Sequence, residues 1–280
     1  MDHDMAGKLV FITGAASGIG RAIAEHCACA GAALVLLDID TAGLDAAREN
    51  ITRAQGTPIT PLVCDLGDAG QVQQIPDALL SRVDILINNA GIGSYGAFVE
   101  RTFEEFERIT RVNYLSLVQL TQRYLAARDL RRVSAIVNFS SLVGLMELPF
   151  MSAYSASKFA VSAFTRCLRL ELAHTQVHVM TVYPGPARTN FGRQYGHYVD
   201  FDEPRNRRTH QPPEHVAQAV IRGLASRRKT VIVPRYFAAA VFIRNTFPRI
   251  YDLLGRRIGS SVVQTGQKAA TTRGYVSRDS

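Results

Sequence analysis

A chain of 280 residues with 47% hydrophobic content can bury a complete core as one large domain, and no Pro/Ser-rich linker or low-complexity block interrupts its first two thirds. The net charge of +8 is uneven: residues 205–280 hold 15 Lys/Arg against 3 Asp/Glu, whereas residues 1–204 hold 17 against 21. Such a basic quarter can signal an anionic membrane, an acidic ligand or nucleic acid, with a solvated surface as the default; nucleic acid is not expected as a partner.

Cys27, Cys29, Cys64 and Cys167 show no Cys-x-x-Cys spacing and read as reduced core residues of a cytoplasmic protein. No metal set is expected: His174 and His178 have helical spacing, but the apolar run Val177–Val182 reads as a strand. There is no Gly-x-Ser-x-Gly elbow, which leaves a serine hydrolase without a foothold.

In chain order, Lys8–Thr13 is an apolar, partly β-branched run of the kind a buried parallel strand shows. It stops at Gly14-Ala15-Ala16-Ser17-Gly18-Ile19-Gly20, and a helical pattern through Ile23, Cys27 and Ala30 follows. Glycines at a strand-to-helix turn let the backbone approach a pyrophosphate, whose charge meets free amides and the positive helix terminus. A second strand, Ala33–Leu37, ends at Asp38, 18 residues beyond Gly20. A carboxylate there accepts hydrogen bonds from ribose hydroxyls and repels a 2′-phosphate, so NAD is expected and NADP is less favoured. The alternative is that Asp38 only caps a turn before a helix over Leu44–Ala54.

Ile59–Cys64 is the expected third strand, followed by Asp65-Leu66, where an adenine could lie against the sheet edge. Pro76 should shorten or kink the next helix. Val83–Ile87 is the fourth strand and ends in Asn88-Asn89-Ala90-Gly91, small residues and amides suited to supporting a cofactor. A long amphipathic helix from about Thr102 passes Asn113 and runs to about Ala127; Ala135–Phe139 is the fifth strand, closing on Ser140-Ser141.

Next comes Tyr154-Ser155-Ala156-Ser157-Lys158, opening a helix to about His174. One helical turn separates Tyr154 from Lys158, so phenol and ammonium project from the same face. Acid/base work near neutrality requires the phenol to fall from about 10 to near 7, about 4 kcal/mol. A cation about 4 Å away at an effective dielectric near 20 contributes about that much before desolvation opposes it. The pair could equally be an ordinary surface pair.

The chain resembles the short-chain dehydrogenase/reductase family over about residues 6–235. The carriers are Thr13-Gly14-x-x-x-Gly18-x-Gly20, Asn88-Asn89-Ala90-Gly91, Asn113, Ser141 placed 13 residues before Tyr154, Lys158, and Tyr183-Pro184-Gly185. The resemblance implies a single-domain, doubly wound parallel sheet (Rossmann fold) in three α/β/α layers. It also implies hydride transfer between a nicotinamide and an alcohol or carbonyl carbon. Tyr154 would be the acid/base, and Ser141 would hydrogen-bond the substrate oxygen, with Ser140 as its rival. Lys158 would bind the nicotinamide ribose and lower the Tyr154 pKa. Asn113 would hold a distorted helical turn and anchor a proton-relaying water. Thr189, brought in by the turn at Pro184 and Gly185, would fix the nicotinamide carboxamide. Dimers or tetramers through the long helices near Asn113 and Tyr154 are implied as well.

Residues 190–213 read as a lid over the substrate. Leu142, Val143, Met146, Leu148 and Phe150 suggest an apolar wall, unless they are plain core. A hydrophobic alcohol or ketone, steroid-, retinoid- or lipid-like, is therefore expected. The alternatives are an NADP-dependent carbonyl reductase of the same family, and a non-catalytic nicotinamide sensor or membrane-associated scaffold. Beyond residue 235, residues 236–262 are an extension read as two short amphipathic helices joined near Pro248, too short an apolar run to span a bilayer. They would lie peripherally on an anionic membrane, or pack on the lid or a partner subunit; residues 263–280 read as a disordered tail.

Overall fold

Burial of alternate strand residues on opposite faces sets the architecture. In β1 (Leu9–Thr13), Val10 and Ile12 enter one apolar cluster and Phe11 the other. In β2 (Ala33–Asp38), Leu34 and Leu36 part from Val35 and Leu37 in the same way. A strand buried on both faces reads as a continuous apolar run, and each such Phe, Leu or Val contributes about 1.5–3 kcal/mol relative to exposure.

The computed structural model describes residues 5–189, 191, 210–249, 251 and 253. The remaining strands are β3 (Ile59–Val63), β4 (Ile85–Asn88), β5 (Ser134–Phe139), β6 (Val177–Pro184) and β7 (Thr230–Val233). All pair in parallel, in the order β3-β2-β1-β4-β5-β6-β7. The order reverses between β1 and β4, which opens a crevice beyond their carboxyl ends.

The helices are α1 (Gly18–Cys29), α2 (Thr41–Gln55), α3 (Ala69–Gln73), α4 (Asp77–Leu80), α5 (Phe103–Thr110), α6 (Ser116–Ala126), α7 (Ser152–Glu171), α8 (Pro213–Ala225) and α9 (Phe237–Thr246). Residues of α1, α2 and α8 fill the cluster on one face of the sheet; residues of α3, α4, α6 and α7 fill the other. The result is the three-layer, doubly wound fold.

Three local outcomes follow from chemistry in the sequence. The crossover from β3 to β4 is broken as expected, into α3, capped by the Asp68 carboxylate, and α4, which starts after Pro76 in an extended conformation. The long helix is interrupted by a π turn over Arg111–Leu115 centred on Asn113. Cys27 and Cys64 are buried, but Cys29 and Cys167 are exposed, which corrects the core reading for those two. Cys29 lies two positions beyond Cys27, about 200° around α1 and off its buried stripe.

Most of the lid, 190 and 192–209, and the tail from 254 onward lie outside the described residues. In the extension, α9 forms up to Thr246. Among the described residues, no helix is long and apolar enough to cross a membrane, and no group of three His, Cys, Asp or Glu side chains is arranged to hold a metal.

Candidate active site

The glycine turn is built by close approach. Gly14 has φ +67°, and a methyl there would sit 2.9 Å from Ala90 Cα; one on Gly20 would sit 2.0 Å from the Gly14 carbonyl. Helix α1 then begins at Gly18 with Ser17 extended before it, no side chain capping its amides and no acid in its first turn. Those amides and the helix dipole suit an anion, and a cleft of about 650 Å³, open mouth included, runs past Gly18 and Thr189 between Arg21, Arg188, Glu25 and Glu214. Ile19 turns inward against the core. Thr189 leans on the same turn, since a methyl on Gly18 would lie 2.9 Å from Thr189 Cγ2. Gly185, after the Pro184 that ends β6, is fixed by its N–H on the Val233 carbonyl at 2.6 Å.

Asp38 ends β2 facing this turn. Its Oδ2 accepts from Ala16 N at 3.0 Å and its Oδ1 from Asp40 N at 3.1 Å. The cap of α2 is Asp40, which accepts from Gly43 N at 3.0 Å, so Asp38 is not spent as a helix cap. Asn89 donates from Nδ2 to the Thr13 and Gly14 carbonyls, and both Asn89 N and Ala90 N donate to Thr13 Oγ1 at 3.1 and 3.0 Å. Thr13, the first residue of the glycine motif, therefore ties the end of β4 to the glycine turn. The Asp65 carboxylate accepts from Gly67 N at 2.7 Å within its own loop, and Leu66 is buried in the core.

The second half of the site converges from β5, the π turn and α7. Tyr154 is 7% and Lys158 3% exposed, so the two are not a surface pair. Lys158 Nζ lies 5.8 Å from the Tyr154 ring centroid and donates to the Phe139 carbonyl at 2.9 Å. The Asn113 side chain grips Ile92 at both backbone atoms, accepting from its N–H and donating to its carbonyl at 2.8 Å each, and also donates to Ser157 Oγ at 3.0 Å. The i→i+5 turn is what lets this side chain face inward. Gly91 sits between them: a methyl there would lie 3.2 Å from Asn113 Oδ1 and 3.3 Å from Lys158 Nζ.

The two serines separate. Ser140 Oγ donates to the Lys158 carbonyl at 2.8 Å and shares a hydrogen bond with Ser162 at 2.9 Å, which ties it into the framework. Ser141 opens the 3₁₀ turn Leu142–Gly144, and its hydroxyl is hydrogen-bonded to the Tyr154 phenol.

The electrostatics of the chain alone run against expectation. Burial pushes the Tyr154 phenol up to about 12, with the Ser141 hydrogen bond acting only partly against it, and pulls the Lys158 ammonium down to about 8. Desolvation outweighs the cation, because the Lys158 ammonium is directed to the Phe139 carbonyl and the Phe191 ring covers the phenol, 5.6 Å between centroids. Phe191 falls in the expected lid segment, but nothing in the sequence marks it as a cover for Tyr154.

A doubly wound sheet with an uncapped glycine turn, a strand-end carboxylate and a Ser/Tyr/Lys/Asn cluster whose Tyr, Lys and Asn are buried defines a dinucleotide-dependent dehydrogenase. The family model for the short chain dehydrogenases matches residues 8–198, and the chain belongs to that family. It is 34% identical over 261 residues to dehydrogenase/reductase SDR family member 7B of Bos taurus, covering 87% of this chain and 78% of the relative. Among solved structures, a short-chain dehydrogenase from Sphingobium yanoikuyae in complex with NADPH superposes with a TM-score of 0.75 at 31% identity, covering 91% of this chain and 95% of that one. A short chain dehydrogenase/reductase from Burkholderia phymatum in complex with NAD gives 0.78 at 27% identity, covering 89% and 96%. The protein is thus an NAD(P)-dependent oxidoreductase.

Proposed function

We propose that the enzyme moves a hydride between NAD and an apolar secondary alcohol or ketone, with Tyr154 as general acid/base. The observation that carries this is the convergence of the buried Tyr154, Lys158 and Asn113 with the partly exposed Ser141, alongside a glycine turn that the Asp38 carboxylate faces. The residues fit a dinucleotide: the α1 amides and Gly14, Ser17, Gly18, Ile19 and Gly20 would hold the pyrophosphate, Asp38 the adenosine ribose, Asn89, Ala90 and Gly91 the middle, and Gly185 and Thr189 the nicotinamide end. Asp65 and Leu66, after β3, would border the adenine. When bound, the nicotinamide supplies the hydride acceptor or donor.

The chain's own residues handle the proton. With its phenol near 12 in the isolated chain, Tyr154 is poised as an acid that can protonate a developing alkoxide while Ser141 orients the oxygen. In the reverse direction the phenol must first lose its proton. Lys158, which titrates near 8, and Asn113 behind it supply the route towards solvent.

Asp38 favours NAD, since its carboxylate is fixed by two backbone N–H groups and would meet a 2′-phosphate as a like charge. The apolar segment after Ser141 supports a hydrophobic substrate. A panel of steroid-, retinoid- and lipid-like alcohols and ketones, run with NAD and NADP in parallel, tests both points. Efficient turnover with NADP alone would make the enzyme an NADP-dependent carbonyl reductase instead.

Two partner readings accompany this. Phe103 and Leu170, 72% and 76% exposed on α5 and α7, support a homodimer or homotetramer. The outer face of α9 leaves Tyr236, Phe242, Ile243 and Phe247 exposed, and no Asp or Glu occurs between Glu214 and Asp252. This supports peripheral contact with an anionic membrane, to be tested by co-sedimentation with anionic against zwitterionic vesicles.

A further inference from the structure

The segment from Ser141 to Tyr154 carries a reacting group at each end, so the path of its middle decides how a substrate is held between them. On one side the middle is tied to the loop after β4: Gly96 N donates to the Phe150 carbonyl at 2.8 Å, and the Tyr95 and Phe150 rings lie 6.1 Å apart. Phe150 is held at φ +66°, a left-handed backbone that a phenylalanine adopts only where its surroundings impose it.

On the other side the middle is tied to the C-terminal extension. Arg244 of α9 reaches Glu147 with Nε 3.3 Å from Oε2 and Nη2 on Oε1, and the Tyr251 hydroxyl donates to the Glu147 carbonyl. The same guanidinium lies 5.8 Å from the ring centroid of Phe159, on the helix that carries Tyr154 and Lys158. At the start of α9, Phe237 rests against the turn after β6: a methyl on Gly185 would sit 3.2 Å from Phe237 Cε2 and 3.1 Å from Leu142 Cδ1. The face of α9 that bears Phe237 and Arg244 is therefore seated on three pieces of the site: the Glu147 segment, α7 and the Gly185 turn. Seven residues separate the two, the helical spacing of one stripe.

We propose that Arg244 and Tyr251 are positioning residues which clamp the Glu147 segment from outside, so that the C-terminal extension forms the outer wall of the substrate pocket and sets its width. This rests on the reading of Ser141 and Tyr154 given above. The clamp acts through geometry more than stability: the Glu147 side chain is 53% exposed, and an ion pair that open to water adds little to the folding free energy. Its effect falls on a segment carrying Met146, Leu148 and Phe150, each partly exposed, so an apolar substrate would feel it and the cofactor would not.

The test compares wild type with Arg244→Glu, Glu147→Arg and the double variant, which restores the pair with its charges exchanged. Hydrogen exchange over residues 142–153 is measured without cofactor, and steady-state kinetics with NAD. Each single variant is expected to exchange about tenfold faster in that segment and to raise KM for a bulky apolar alcohol about tenfold, with kcat and the NAD KM within about twofold of wild type. The double variant recovers both. Single variants that exchange like wild type overturn the clamp, as does a joint rise in the substrate and NAD KM values. Exchange decides the clamp even if no alcohol on the panel is accepted, so its failure is distinguishable from failure of the catalytic reading.

Discussion

Lys158→Met takes an ammonium out of an interior site where burial has lowered it from 10.5 to about 8. At about 1.4 kcal/mol for each unit of pKa, the charged form stands about 3 kcal/mol higher in the folded than in the unfolded chain at neutral pH. Below pH 8 both states hold the proton and the whole penalty is present. Between pH 8 and 10.5 the unfolded chain binds more protons than the folded one, so wild-type stability rises with pH, while the Met variant has nothing to titrate at this position. Tyr154, raised from 10 to about 12, begins to act only above pH 10, where it lowers stability as pH rises. Met also leaves the Phe139 carbonyl without its 2.9 Å donor, a loss of about 1–3 kcal/mol that does not vary with pH. The informative quantity is therefore the change in the stability difference between the two proteins. Urea unfolding without cofactor should show wild type gaining about 2–3 kcal/mol on Lys158→Met between pH 7 and pH 10. A pH-independent difference, or a variant that gains on wild type as pH rises, would refute burial as the cause.

Thr13→Val removes the oxygen on which Asn89 N and Ala90 N converge; unfolding should register a loss of about 1–3 kcal/mol, and the cofactor KM should rise severalfold with kcat changed less. Phe191→Ala opens the phenol to water, so the Tyr154 transition in the tyrosinate absorbance titration should move from about 12 down towards 10. Asp38→Ala should weaken NAD about tenfold and narrow the preference over NADP, read from the ratio of kcat/KM for the two cofactors.

Much of the fold is legible in the sequence because buried parallel strands and a glycine turn leave local marks. Lys8–Thr13 and Ala33–Leu37 are apolar runs with glycine or acid at their ends, and they form β1 and β2 within a residue. Pro76 breaks its crossover through a missing N–H and a fixed φ, both readable from one residue. What the sequence leaves hidden is long-range. Thr13 meets Asn89 and Ala90 more than 70 residues away, and Arg244 meets Glu147 across 97. The Tyr154 phenol moves in the direction opposite to the one expected, because desolvation depends on what lies over the ring, and Phe191 is placed there by the chain after β6. Likewise Tyr-x-x-x-Lys spacing specifies a shared helix face but not that the face is turned inward, which follows from the packing of α7 against β5 and the π turn.

The central claim is that Tyr154 carries the proton. Its most direct test is Tyr154→Phe, measured for turnover of an accepted alcohol and for NAD affinity in the same preparation. Turnover should fall by about 10²–10⁴-fold while the NAD Kd stays within about twofold of wild type; a variant that retains wild-type turnover would contradict the account.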